Sequence, residues 1–234
     1  MNLRRLITAV VLAALCAGFL YQVGLLGMVV WFNFRNPSNT PIMQDTLYAL
    51  RARDPDARLS YDWVPYDRIS VQLKRAVIAS EDSGFVEHDG VEWSAIRKAW
   101  SYNQRQESLG HSRRRGGSTI TQQLAKNLFL SNSRNYLRKG QELILTYMIE
   151  AVMSKRRILE LYLNVAQWGA ATFGAQAAAR HYFKTDAARL SGAQAAQLAA
   201  MLPNPAYYDR RGATGYLRSH AATVRARMSQ VAVP

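Results

Sequence analysis

Three stretches of the chain concentrate side chains that can do chemistry. The first, Glu81-Asp82-Ser83-Gly84-Phe85-Val86-Glu87-His88-Asp89-Gly90, sets two adjacent carboxylates at the end of an apolar run, then an aromatic, a histidine and a glycine. Partial burial there raises a carboxyl pKa toward the range that suits a general base or acid; the ordinary alternative is a solvated turn. The second stretch is Arg114-Arg115-Gly116-Gly117-Ser118-Thr119-Ile120-Thr121-Gln122-Gln123-Leu124-Ala125-Lys126-Asn127. Its glycines free the backbone, Ser118 or Thr119 can cap the following helix, and Thr119 with Gln122 has capping-box spacing. A glycine-led helix start also offers amide N–H groups to an anion, although no Gly-Lys-Ser/Thr completes a Walker loop. In the third, Arg138-Lys139-Gly140-Gln141-Glu142, Arg138 and Glu142 stand four apart. As a surface pair they are worth only about 0.2–0.5 kcal/mol. With Lys126 nearby, the same residues suit a diphosphate, Arg as a planar fork and Lys as a point charge.

These stretches must be positioned by helices. Apolar residues recur in steps of three and four over Ile69–Ser80, Val91–Tyr102, Ser118–Phe129, Tyr136–Ser154 and Arg156–Asn164. Ser191 and Gln194 form a capping box for a helix ending at Leu202, stopped by Pro203 and Pro205. The polar, basic, glycine-bounded stretch from Asn103 to Gly117 reads as a mobile loop. No segment alternates with period two, so the fold class is all-α.

Composition sets the partners. Thirty Lys and Arg against 16 Asp and Glu give the 234-residue chain a net charge of +14, which calls for a polyanion. One cysteine, Cys16, excludes an internal disulfide and a Cys-based zinc site, and the four histidines contain no His-x-x-x-His pair. Residues 6–32 hold no charge, follow Arg4 and Arg5, and exceed the roughly 20 residues that cross a bilayer. A cleavable leader would have a shorter apolar region, about 7–15 residues, and a buried core helix would seldom lack a polar face for so long. We therefore expect residues 1–5 as a cytoplasmic tail, 6–32 as an uncleaved membrane anchor, 33–67 as an extended proline-bearing linker, and 68–234 as a domain outside the inner membrane. Without Arg4 and Arg5 the 202 residues beyond the anchor still carry +12. In that place anionic lipid phosphate is the expected partner and nucleic acid is not.

Taken together the stretches resemble the glycosyltransferase family 51 domain of peptidoglycan synthesis, over about residues 69–208. Glu81-Asp82-x-x-Phe85-x-x-His88-x-Gly90 looks like its first motif, Gly116 to Asn127 like its second, and Arg138-Lys139-x-x-Glu142 like its third. Lys155-x-x-Ile158-Leu159-Glu160-x-Tyr162-Leu163-Asn164 is similar to the fourth; Gly174, Ala177-Ala178, Tyr182-Phe183 and Leu202-Pro203-Asn204-Pro205 fit the last. Gly84 departs from the pattern, where a larger residue is usual, and is expected to loosen the Phe85 turn. The chain's length resembles the monofunctional, membrane-anchored members, without a transpeptidase domain.

The resemblance implies a lysozyme-like helical fold that polymerises lipid II into glycan strands with inversion, releasing undecaprenyl pyrophosphate. It implies Glu81 as general base, Lys126 and Arg138 on the diphosphate, and Glu142 as the residue holding that catalytic cluster. Asp82, Phe85, His88, Ser118, Thr119, Gln122, Gln123 and Asn127 would line the cleft and position substrate. A divalent cation (Mg or Mn) at the diphosphate is compatible with the family, but no dedicated metal ligand set is visible. Lipid II, the growing glycan, the membrane and other cell-wall synthesis or division proteins are the implied partners. Glu160 and Asn164 read as helix-packing residues, and Lys155, Arg156 and Arg157 as a solvated or lipid-facing cationic face. The stretches Trp93–Trp100 and Tyr136–Tyr147 read as an apolar face toward the bilayer. Three rivals remain at this stage. A lysozyme-like hydrolase needs no diphosphate cradle, a non-catalytic scaffold needs no intact Glu81/Lys126/Arg138/Glu142 set, and a tethered nucleic-acid binder needs aromatic stacking residues among its basic ones.

Overall fold

The computed structural model describes residues 3–111, 116–131 and 136–234. Arg114 and Arg115 of the second stretch, and part of the expected loop, lie outside them. The described residues are mostly helical, as expected. The chain begins with α1 (Leu3–Phe34), a single apolar helix. Every side chain from Leu3 to Tyr21 on it is exposed, the mark of an apolar helix made for lipid rather than for a protein core. From Gln22 onward one stripe is covered: Gln22 is half-buried, and Leu25 and Val29 are buried.

Residues 33–67 are not an extended linker. Thr40 accepts a hydrogen bond from the Met43 N–H (3.2 Å) and caps α2 (Pro41–Arg51), whose Ile42 and Met43 enter the core. Pro41 reads as a breaker in sequence, yet at the first helical position its fixed φ starts a helix. A two-residue strand β1 (Ser60–Tyr61) then pairs in parallel with β2 (Thr172–Phe173), too short for a period-two signal. Asn164 clamps the next residues, accepting from the Val64 N–H and donating to the Val64 carbonyl, both at 2.9 Å. Glu160 accepts from the Tyr66 N–H at 2.9 Å. These two side chains therefore staple the incoming chain to α7 (Lys155–Val165) rather than join two helices.

Two helical layers meet at the site. In one, α3 (Val71–Glu81) packs Leu73, Val77 and Ile78 against α9 (Gly192–Met201) and α11 (Gly215–Arg227). Buried Ala195, Ala196, Ala199 and Ala200 leave room for the approach. The capping box at Ser191 and Gln194 forms as read, and Pro205 opens a further helix, α10 (Pro205–Arg211). In the other layer, α5 (Ile120–Phe129) packs on α6 (Tyr136–Val152) and α7, with α8 (Ala175–Phe183) behind α7. The α4 helix (Trp93–Ser108) lies over this layer with no buried residue. It extends through Asn103–Ser108, expected as loop.

Candidate active site

Glu81 closes α3, and what surrounds its carboxylate decides what it can do. Ser80 Oγ donates to Oε1 (3.2 Å) and Gln123 Nε2 on α5 donates to Oε2 (2.9 Å). Behind them the Tyr162 hydroxyl donates to Gln123 Oε1 at 2.9 Å. Tyr162 is 1% exposed, and burial holds its pKa well above the usual phenol value, so the hydroxyl keeps its proton. With Oε1 taken up by that hydroxyl, the amide turns its Nε2 toward the acceptor oxygens of Glu81. Burial raises the Glu81 pKa; the bonds from Gln123 and Ser80 pull it down, and the Asp82 charge adds to the rise. The result is a desolvated carboxyl group with an elevated proton affinity, the property the sequence asked of a general base.

Asp82 has a different task. Its Oδ2 accepts the Ile120 N–H (3.0 Å) at the start of α5, and its Oδ1 meets His88 Nε2 (2.8 Å). Thr119 and Gln122 form the capping box read from their spacing. The anion at this glycine-led helix start is thus the protein's own Asp82, placed where the helix dipole favours negative charge. The Gly90 N–H donates to His88 Nδ1 at 3.1 Å, which places the histidine's proton on Nε2, toward Asp82. The same carboxylate raises the His88 pKa.

The loop from Glu81 to Gly90 is pinned from below. Phe85 is fully buried and its N–H reaches the Asp82 carbonyl (3.0 Å), so Gly84 does not loosen the turn. Thr119 Oγ1 donates to the Gly90 carbonyl at 2.6 Å. Lys155, read as part of a solvated face, instead sits with its Nζ 4.8 Å from the Phe85 ring centroid. It donates to the His88 carbonyl (2.6 Å) and pairs with Glu150 (2.8 Å), which also accepts from Thr121 Oγ1 (2.5 Å). Gly90 has φ +83°, and a Cβ there would stand 2.7 Å from both Thr146 Cγ2 and Glu150 Cγ, so only glycine fits. At Gly117 a Cβ would come within 3.0 Å of the Ile96 Cα on α4.

The cationic side comes from α5 and α6. Lys126 is half-buried on α5, three residues and about 4.5 Å of helix rise beyond Gln123. On α6, Arg138 Nη1 binds Glu142 Oε2 at 3.0 Å, and Lys139 pairs with the same carboxylate. Glu142 is only 3% exposed, so this is no surface i,i+4 pair: the carboxylate is a buried counterion that holds two cations at one place. Lys139 Nζ also reaches the exposed Ser118 Oγ at 3.4 Å. Beside them a cleft of about 230 Å³ is lined by Ile96, Trp100, Ser118, Gln122 and Lys139. Of the expected cleft residues, Asp82, Phe85, Thr119, Gln122 and Asn127 are buried, and Gln123 is half-buried against Glu81.

One trio of potential metal donors exists among the described residues, Asp82, His88 and Glu92, with donor atoms within 4.8 Å of one another. It does not fit a metal. Both Asp82 oxygens are engaged, His88 Nε2 faces Asp82, Nδ1 holds the Gly90 N–H, and Glu92 accepts from Ser94 Oγ (2.8 Å).

The transglycosylase family model matches residues 49–229, from the end of α2 beyond the end of α11. The chain belongs to the transglycosylase family. Curated relatives agree over the whole length. A biosynthetic peptidoglycan transglycosylase of Bordetella pertussis is 64% identical over 234 residues, covering 100% of this chain and 97% of its own. Those of Aromatoleum aromaticum (52% over 225 residues, 96% of each chain) and Herminiimonas arsenicoxydans (48% over 232 residues, 99% of each) extend the likeness. The family reading made from the motifs is therefore correct. In this transglycosylase, sequence reasoning passed over Tyr162, Thr121 and Glu150 as supports of the site. Their signal was weak: Tyr162 stood in the fourth motif with no role of its own, and Thr121 and Glu150 are brought together only by the packing of α5 on α6.

Proposed function

We propose that this transglycosylase polymerises lipid II, the 4-hydroxyl of one lipid-linked disaccharide attacking the anomeric carbon of the growing chain with inversion. In this reading Glu81 Oε atoms take the proton of the attacking hydroxyl, a contribution of about 10²–10⁴-fold. Lys126 and Arg138 neutralise the negative charge that grows on the departing undecaprenyl diphosphate. Glu142 keeps Arg138 and Lys139 in register, and Asp82 and His88 hold the loop that carries Glu81. The observation that carries the reading is the pairing on one helix, α5, of a residue bound to the desolvated Glu81 (Gln123) with the cation Lys126 one turn away. We assign no protein ligand set to a divalent cation and route no step through one.

A lipid-linked donor has to be met at the bilayer. Trp93, Trp100, Leu137, Ile144 and Tyr147 are exposed on α4 and α6, and α6 packs directly on the anchor. This apolar face supports placing the cleft at the outer membrane–water boundary, with Arg4 and Arg5 on the cytoplasmic side. The test is direct. The full-length protein in liposomes with labelled lipid II should yield a ladder of glycan polymers and released undecaprenyl diphosphate. Cleavage of preformed glycan without any polymer would show a hydrolase instead.

The orientation of the Gln123 amide gives a further expectation. In Tyr162→Phe the Gln123 Oε1 loses its donor, so the amide can turn and accept from a protonated carboxyl, favouring the neutral acid. A base must be ionised, so activity falls as pH drops through its pKa. The acid limb of the rate–pH profile should therefore shift to higher pH in the variant, with most of the rate recovered on the alkaline plateau. An equal loss at every pH would assign Tyr162 a purely structural role.

A further inference from the structure

The anchor carries an amide inside its apolar run, and the fold gives that amide one partner. Gln22 Nε2 donates to Gln141 Oε1 (2.7 Å), and Gln141 Nε2 donates back to Gln22 Oε1 (3.1 Å). The two residues are 119 positions apart, on α1 and α6. Gln22 is also where α1 changes character. The 16 uncharged residues from Leu6 to Tyr21 are exposed, and at about 1.5 Å each they cover about 24 Å, so a bilayer core of about 30 Å extends past Gln22. From Gln22 a stripe at helical spacing, continued by Leu25 and Val29, lies against the domain. Phe32 meets Phe129 at a centroid distance of 5.8 Å. Arg157 closes the end of the helix, donating to the carbonyls of Phe32 (2.8 Å) and Arg35 (2.9 Å).

From this geometry we infer that α1 is a docked part of the catalytic unit, and that the reciprocal Gln22–Gln141 amide pair sets the register in which α6 meets the membrane. A polar side chain in an apolar span is costly unless paired, so it selects one depth and one rotation where apolar contacts alone would tolerate sliding. The helix it fixes is the one bearing Arg138, Lys139 and Glu142, and Gln141 adjoins Glu142 in sequence. A diphosphate held at a constant height by its lipid is thus met by cations held at a constant height by the anchor. The pairing itself is independent of the proposed reaction; its effect on catalysis rests on that reading.

The test uses full-length protein in native membranes. With Cys16→Ser removing the native thiol, Gln22→Cys and Gln141→Cys are combined with a protease site inserted in the exposed 53–58 loop. A short bifunctional thiol reagent should hold the two fragments together after cleavage, while Gln22→Cys paired with a cysteine at exposed Ser219 should not. Fragments that separate in both cases overturn the docking. The functional arm compares Gln22→Leu, Gln141→Leu and the double variant. Each single change leaves an unpaired amide, so the double variant should not add the two losses. The expected coupling is about fivefold in the docked-to-undocked ratio, read from crosslinking yield of a second pair, Val29→Cys with Met148→Cys. Polymerisation in liposomes should fall for each single variant, while a short-tailed lipid II analogue in detergent is turned over as by the wild type. Additive effects on yield would refute the amide pair as a register. Wild-type protein that makes no polymer in either assay would refute the proposed reaction and leave the crosslinking result standing.

Discussion

Glu81→Gln should reduce glycan polymerisation by about 10²–10⁴-fold while leaving the protein folded. The amide keeps the shape of the carboxyl group and can still meet Gln123 and Ser80, but it accepts no proton. A stability measurement separates this loss from unfolding, and its sign follows from the raised pKa. A carboxyl whose folded pKa lies above its unfolded value binds its proton more tightly in the native state. Its contribution is then fully favourable below the unfolded pKa and is lost as pH rises through the folded one. At neutral pH the buried Glu81 carboxylate is therefore a liability, and Glu81→Gln should melt at the same or a higher Tm than the wild type. The difference should shrink on acidification below the usual carboxylate range. A variant that melts lower, or one that still polymerises at the wild-type rate, removes Glu81 from the role of base.

Lys126→Met is expected to cost about 10²–10³-fold in kcat with little change in KM. The substitution keeps an unbranched stem of similar length and deletes only the charge. If Lys126 acts on charge that develops as the diphosphate departs, ground-state affinity for lipid II is largely spared. Steady-state rates over a range of lipid II concentrations in liposomes check this. A rise in KM at constant kcat would make Lys126 a docking residue for the intact substrate and would shift the main electrostatic role to Arg138.

The parts of the fold with strong local rules were legible in the sequence. Thr119 with Gln122 and Ser191 with Gln194 announced their helices by spacing, and both capping boxes are present. The candidate site residues stood out for the same reason: Glu81 follows a periodic run, and Arg138 and Glu142 share a face. What stayed hidden depends on contacts between residues far apart in the chain. Nothing near Pro41 says that Ile42 and Met43 will reach the core, nor does the run Lys155-Arg156-Arg157 say that its first member lies against Phe85. The burial of Glu142 turned an ordinary surface pair into a buried counterion, and burial is a property of the whole fold. Gln22 was hidden differently: one amide barely disturbs a hydropathy average, and its partner lies in another helix.

The α6 helix serves two masters. Arg138, Lys139 and Glu142 form one ion cluster beside the cleft, whereas Gln141 faces the anchor. An α-helix turns by about 100° per residue, so deleting or inserting one position between Arg138 and Gln141 swings one of those faces away from its task whatever residue is used. Across lineages this segment should therefore keep its length, and indels should be purged from it while they accumulate in loops.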